Sequence, residues 1–194
     1  NSKCRGLLQE NCSDFSSYKY RSCFTGEEKM LSDHVMNGKR IFPGTAYMVM
    51  AMEAFKRALG SKYNQTNMIC LEKVVMVNPL VVDGKTEVVI SLHRSEERVT
   101  AYRIEKDEKM LLNQGTLKLL KNQEKTVDLV RIRERCRQKE LTKSECYNAF
   151  QKAGFHYGET FRGIEKLYFN QNEALAEIHF MSSEEGHLVH PGLL

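Results

Sequence analysis

His34, Gly38 and Pro43 stand at the spacing H-x-x-x-G-x-x-x-x-P inside the run Asp33-His34-Val35-Met36-Asn37-Gly38-Lys39-Arg40-Ile41-Phe42-Pro43-Gly44-Thr45. Imidazole, with an ordinary pKa of about 6.5, is largely neutral and basic near pH 7. A histidine held in a fixed position is therefore a ready general base for taking a proton from a bound molecule. Gly38 permits a tight bend in the loop, and Pro43 fixes the backbone entering the next element.

That element has to hold the histidine loop in place. Residues 46–55 read Ala-Tyr-Met-Val-Met-Ala-Met-Glu-Ala-Phe, apolar on nearly every helical face. The pattern predicts a helix enclosed by protein on all sides. Thr45 is the expected cap at its start, Lys56 and Arg57 complement the dipole at its end, and Gly60 suits the stop. The alternation Met48, Met50, Met52 reads as core filler, not as a metal or cofactor box.

An enclosed helix needs a sheet around it. Strand patterns occur at residues 18–24, 69–77, 80–82, 86–94, 99–105 and 111–119. Asp83-Gly84, Glu96-Glu97 and Asp107-Glu108-Lys109 supply turns between them. One buried helix followed by an antiparallel meander is an α+β pattern, and it fits a sheet wrapped around a central helix, the hot-dog arrangement. From Lys121 to about Glu140 the chain turns charged and reads as a linker. A helix capped by Ser144 is expected to run to Ala153 and to end at Gly154, followed by strands at 165–169 and 174–180.

Composition narrows the function classes. Of 194 residues, 41% are hydrophobic and 28% charged, which excludes wholesale disorder. No apolar run is long enough to span a bilayer, so no membrane role is expected. The six cysteines form no C-x-x-C pair, so neither a disulfide framework nor a zinc site is expected; free thiols in a reducing, cytoplasmic compartment fit better. His187 and His190 are three residues apart, but no further ligands cluster with them. The net charge of +4 favours weak attraction to an acidic protein partner. The basic stretch 131–139 is short and lacks aromatics, so it reads as solvated linker and not as a nucleic-acid site.

Two further segments join the histidine motif. Gly154-Phe155-His156-Tyr157-Gly158-Glu159-Thr160-Phe161-Arg162-Gly163-Ile164 resembles G-x-x-Y-G-P-x-F-x-G-[LI], and His190-Pro191-Gly192-Leu193-Leu194 resembles the start of H-P-x-L-L-D. The three segments, in this order, resemble the dehydratase domains of polyketide synthases and animal-type fatty acid synthases. Glu159 departs from the pattern, which has proline there. The resemblance implies a double hot-dog fold: residues 1–122 the first unit, 123–140 the linker, and 141–194 the start of a second, incomplete unit.

It also implies the reaction. Water is removed from a 3-hydroxyacyl thioester, carried on the phosphopantetheine of an acyl carrier protein, to give a trans-2-enoyl thioester. His34 would be the general base. Gly44, at the helix N-terminus, would offer its N–H to the thioester oxygen, where the helix dipole favours developing negative charge. Gly38, Pro43, Tyr157 and Phe161 complete the implied substrate site; Tyr157 is either a hydrogen-bonding or a packing residue, and Phe161 either tunnel wall or core. The family's catalytic aspartate would follow immediately after Leu194, so the chain reads as a piece of a longer domain, inactive alone. No metal or redox cofactor is implied. The implied partners are the acyl carrier protein, the other domains of a parent synthase and a second copy in a homodimer. An enoyl double-bond isomerase and a non-catalytic docking or dimerisation scaffold are the alternatives, and a fatty acid or polyketide parent is left open.

Overall fold

The computed structural model describes residues 6–64, 66–96, 99–122, 126–179 and Gly192. The first part carries β1 (Glu10–Asn11), β2 (Tyr18–Phe24), α1 (Lys29–Ser32), β3 (His34–Met36), β4 (Lys39–Arg40) and α2 (Gly44–Leu59). Then come β5 (Asn67–Met76), β6 (Thr86–Glu96), β7 (Val99–Lys106) and β8 (Met110–Lys121). A six-stranded sheet in the order β1-β2-β6-β7-β8-β5 joins them, antiparallel at every step.

The sheet wraps α2 as the apolar pattern requires. Ala46, Val49, Met50, Ala51 and Ala54 are fully buried. Facing them are Tyr20 and Phe24 of β2, Val88, Ile90 and Leu92 of β6, and Tyr102 and Ile104 of β7. Within each of these strands the named residues are two or four apart, because alternate side chains of a strand share a face. The α+β class and the hot-dog arrangement are thus present in the described residues.

The ends of α2 divide between expectation and correction. Gly60 ends the helix with φ at +54°, its N–H reaching the Lys56 and Arg57 carbonyls. Thr45 is not the cap. Pro43 takes that place with extended dihedrals, and its carbonyl accepts from Ala46 N–H at 3.0 Å, so the helix starts at Gly44. Thr45 is left inside the first turn. Residues 80–82 form no strand of their own, only a single bridge from Val81 to Ile41. They tie down the chain entering α2 instead, through Phe42 N–H to Leu80 O at 2.9 Å and Val82 N–H to Arg40 O at 3.0 Å.

The second part carries α3 (Leu129–Cys136), β9 (Lys139–Thr142), α4 (Lys143–Lys152), β10 (Phe155–Tyr157), β11 (Ile164–Phe169) and β12 (Ala174–Ile178). The charged stretch read as linker is therefore structured in part. Asp128 caps α3 by accepting from Arg131 N–H at 3.0 Å, and Cys136 is fully buried at its far end. Arg133 pairs with Glu177 and donates to the Tyr168 hydroxyl, while Arg135 makes two 2.7 Å contacts with Glu173. These ion pairs engage two arginines of the basic run. The cap of α4 is Thr142, not Ser144: Thr142 and Glu145 form a reciprocal capping box, which starts the helix one residue before Ser144.

β12, β11 and β9 form a three-stranded antiparallel sheet. A third sheet, β10-β3-β4, pairs the histidine segment with the second part of the chain. Phe180, His187 and His190, which the sequence reading placed in a strand or a motif, lie outside the described residues. So does the Glu97 half of the turn expected at 96–97. The five described cysteines (Cys12, Cys23, Cys70, Cys136 and Cys146) are free thiols.

Candidate active site

His34 opens β3, and the hairpin after it aims the ring. Asn37 (φ +48°) and Gly38 (φ +75°) form the two-residue connection between β3 and β4, with Met36 opposite Lys39. Positive φ at both positions is the signature of a tight hairpin turn that matches strand twist, and glycine takes it without cost. The return strand carries Ile41 back beside His34. There the ring Nδ1 lies 2.8 Å from the Ile41 carbonyl oxygen.

That hydrogen bond decides the tautomer. A carbonyl oxygen only accepts, so Nδ1 carries the hydrogen and Nε2 keeps its lone pair. Burial lowers the pKa of His34 below its ordinary value, with the Ile41 hydrogen bond opposing. The ring is accordingly neutral at pH 7, the state a general base needs.

Nine elements or loops converge on a cavity of about 370 Å³ beside this ring. His34 lines it together with Gly44, Tyr157 and Phe161, three of the residues singled out from sequence. Gly38 and Pro43 do not line it: one turns the hairpin, the other starts α2. The ring centroids of Tyr157 and Phe161 lie 5.5 and 5.2 Å from that of His34. Strand pairing brings the tyrosine there, since β10 runs antiparallel to β3 with Tyr157 opposite His34. Burial raises the Tyr157 pKa, so its hydroxyl is protonated throughout the neutral range.

Sequence reasoning missed several walls of this cavity. Thr45 and Met48 come from the first turns of α2, and Met76 from the end of β5. The methyl carbon of Met76 sits 3.4 Å from where a Gly44 β-carbon would be, an ordinary contact distance. Tyr147 and Phe150 come from α4. The Tyr147 hydroxyl donates to Phe161 O at 3.1 Å and accepts from Ile164 N–H at 3.0 Å, bracing the loop that carries Phe161. From sequence alone Met48 reads as core filler and Thr45 as a helix cap. The i, i+3 spacing of Tyr147 and Phe150 was the available signal. Gly192, from the third motif, also lines the cavity. Among the described residues no group of three or more His, Cys, Asp or Glu side chains is arranged to hold a metal.

Asp33, next to the histidine, was also missed. Its main-chain oxygen accepts from Gly158 N–H at 2.8 Å. Its carboxylate accepts from the backbone N–H and the hydroxyl of Thr160, at 3.0 and 2.9 Å, and meets Lys29 at 3.4 Å. Burial pushes the Asp33 pKa up, but the Thr160 bonds and Lys29 outweigh it and hold the carboxyl below its ordinary value.

The fold and site together define a class: hot-dog proteins that hold a neutral, oriented histidine at a cavity, equipped for acid–base chemistry. Within that class the comparisons are specific. Residues 6–107 match the polyketide synthase dehydratase domain family, and residues 124–194 match the polyketide synthase dehydratase N-terminal domain. The chain belongs to the polyketide synthase dehydratase domain family.

The polyketide synthase PksM of Bacillus subtilis (strain 168) is 33% identical over 200 residues, covering 97% of this chain and 5% of PksM. The chain thus spans a small part of the curated relatives it matches. The crystal structure of a trans-AT polyketide synthase dehydratase domain from Brevibacillus brevis is 31% identical, with a TM-score of 0.90, covering 100% of this chain and 71% of that one. The dehydratase domain of RzxB from Pseudomonas fluorescens, at 24% identity, shares the fold with a TM-score of 0.84, covering 99% of this chain and 71% of that one.

Proposed function

We propose that this chain is the histidine-bearing part of a dehydratase that removes water from a 3-hydroxyacyl thioester held on the phosphopantetheine of an acyl carrier protein. The observation that carries the reading is the Nδ1–Ile41 hydrogen bond, which leaves the His34 Nε2 lone pair available at the cavity. Nε2 takes the proton from the carbon alpha to the thioester carbonyl. The electron pair moves toward the carbonyl oxygen, where the Gly44 N–H and the α2 dipole stabilise it. It then returns to form the double bond as the 3-hydroxyl departs, protonated to water by a carboxylic acid. The resemblance assigns that role to the aspartate of the family's H-P-x-L-L-D pattern, whose first five positions this chain carries as His190-Pro191-Gly192-Leu193-Leu194. Tyr157 and Phe161 contact the substrate, while Gly38 and Pro43 act through the backbone turns that carry His34 and Gly44. The reaction needs no metal or redox cofactor.

The division into a first hot dog at 1–122, a linker at 123–140 and a second unit from 141 belongs to the same proposal. So do a homodimer, association with the other domains of a polyketide synthase, and a cytoplasmic location. No helix among the described residues is long and apolar enough to cross a membrane.

The test is to offer the full natural polypeptide a 3-hydroxyacyl thioester on its carrier protein and follow the product by mass. Loss of water in the native protein and none in His34→Ala supports the reading. Full dehydration by His34→Ala overturns it. Conversion of a 2-enoyl into a 3-enoyl thioester without dehydration assigns the isomerase instead, and carrier binding without turnover assigns the scaffold.

A further inference from the structure

Asp33 and the loop at 158–161 are joined by three hydrogen bonds that bridge more than 120 residues of sequence. Gly158 N–H meets Asp33 O, and Thr160 offers both its N–H and its hydroxyl to one carboxylate oxygen, Asp33 Oδ2. Asp33 precedes His34 in the chain, and Phe161 follows Thr160. The clamp therefore sets the distance between the base and the aromatic wall facing it, 5.2 Å between ring centroids. It is also close-fitting, because a β-carbon at Gly158 would lie 2.3 Å from Asp33 Cγ and Oδ1.

We infer that Asp33 is a positioning residue for His34: it locks the 158–161 loop across the cavity so that Phe161 and Tyr157 hold the acyl chain against Nε2. The inference rests on the dehydratase reading above. Asp33 touches neither substrate nor reacting atoms in this role. Its carboxylate orients the loop through Thr160, and a reacting proton displaced by an ångström from its base costs about 100-fold in rate. Asp33 is a better anchor than a neutral residue because hydrogen bonds to an ionised acceptor are shorter and stronger than those between neutral groups. Lys29 keeps the carboxylate ionised from the other side.

The experiment compares Asp33→Asn, Thr160→Val, their combination and Thr160→Ser in the full natural polypeptide. Two readouts are used: amide hydrogen exchange, and kcat and KM measured separately. Exchange at Gly158, Thr160 and Phe161 is expected to accelerate at least about tenfold in Asp33→Asn and Thr160→Val, while β6 and β7 keep their protection. With it, kcat is expected to fall about 10- to 100-fold at an unchanged midpoint of the acid limb, since the base itself is intact. The double variant should be little worse than either single one, because both remove the same contact. Thr160→Ser, which restores the hydroxyl, should recover most of kcat.

The inference is overturned if the loop loosens and kcat stays within about twofold, or if exchange accelerates equally in every strand. Additive losses in the double variant would also overturn it. Because hydrogen exchange does not depend on turnover, failure of the clamp is read separately from failure of the dehydratase assignment, which His34→Ala decides.

Discussion

Gly158 donates its N–H to the main-chain oxygen of Asp33 at 2.8 Å, and its missing side chain is what lets the two segments meet. A β-carbon there would stand 2.3 Å from the Asp33 carboxyl, well inside contact distance. The φ of Gly158 is −81°, so any residue could adopt its backbone; the requirement is space alone. Gly158→Ala is accordingly expected to cost about 1–3 kcal/mol through overpacking, measured by denaturant unfolding. The Asp33→Ala background should relieve part of that cost, because it removes Cγ and Oδ1 and leaves only the Asp33 β-carbon, 2.8 Å away, in contact. An equal loss in both backgrounds would place the clash elsewhere.

The His34 ring is expected to titrate below its ordinary value of about 6.5, because burial disfavours the imidazolium. Histidine resonances followed by NMR against pH check this, with His34→Ala identifying the signal. The sign fixes two consequences. The acid limb of kcat/KM lies below pH 6.5, so the base stays competent across the neutral range. The contribution of this group to stability is complete above about pH 6.5, the unfolded value, and is lost as pH falls from there through the lowered folded value.

Met50 is fully buried at the centre of α2, inside the wrap of the six-stranded sheet. Met50→Ala should destabilise the fold by about 2–5 kcal/mol, the range for a large apolar side chain deleted from a core. Met52, on the same helix, is only partly buried, and Met52→Ala should cost measurably less. Parallel urea denaturation of the two variants gives the comparison.

Gly38 lies exposed in the hairpin with φ at +75° and nothing within 4 Å of where a β-carbon would be. Its requirement is conformational, the reverse of Gly158. Gly38→Ala should cost about 1–2 kcal/mol from the left-handed backbone, and Gly38→Asn less, since asparagine tolerates that region. Thermal unfolding of the two variants distinguishes backbone strain from a packing effect, which would penalise the larger asparagine more.

The elements that were legible in the chain are those whose signal is local. α2 announces itself because residues 46–55 are apolar on nearly every face, and β6 and β7 because apolar residues recur at alternate positions, Val88, Ile90 and Leu92 in one and Tyr102 and Ile104 in the other. Their ends differed by a residue or two, as at Thr45, where the Pro43 carbonyl and not a side chain starts the helix. α3 was hidden because its run of arginines resembles a solvated segment. Two of its arginines, Arg133 and Arg135, are instead held by Glu177 and Glu173, about forty residues away. Tyr147 was hidden for a related reason: nothing in residues 143–152 says that one tyrosine will reach back to the Phe161 carbonyl.

By itself the sequence determined the chemistry available. It supplied an imidazole at a turn, a glycine at the start of an enclosed helix, and Tyr157 and Phe161 far along the chain. Residue type and local spacing carry that information because tautomers, turns and helix ends are settled within a few residues. Tertiary structure decided which of these groups meet. The antiparallel register of β3 with β10 sets Tyr157 opposite His34, and Asp33 holds Thr160 beside it. Such pairings join residues more than 120 positions apart in the chain, so no local pattern could encode them.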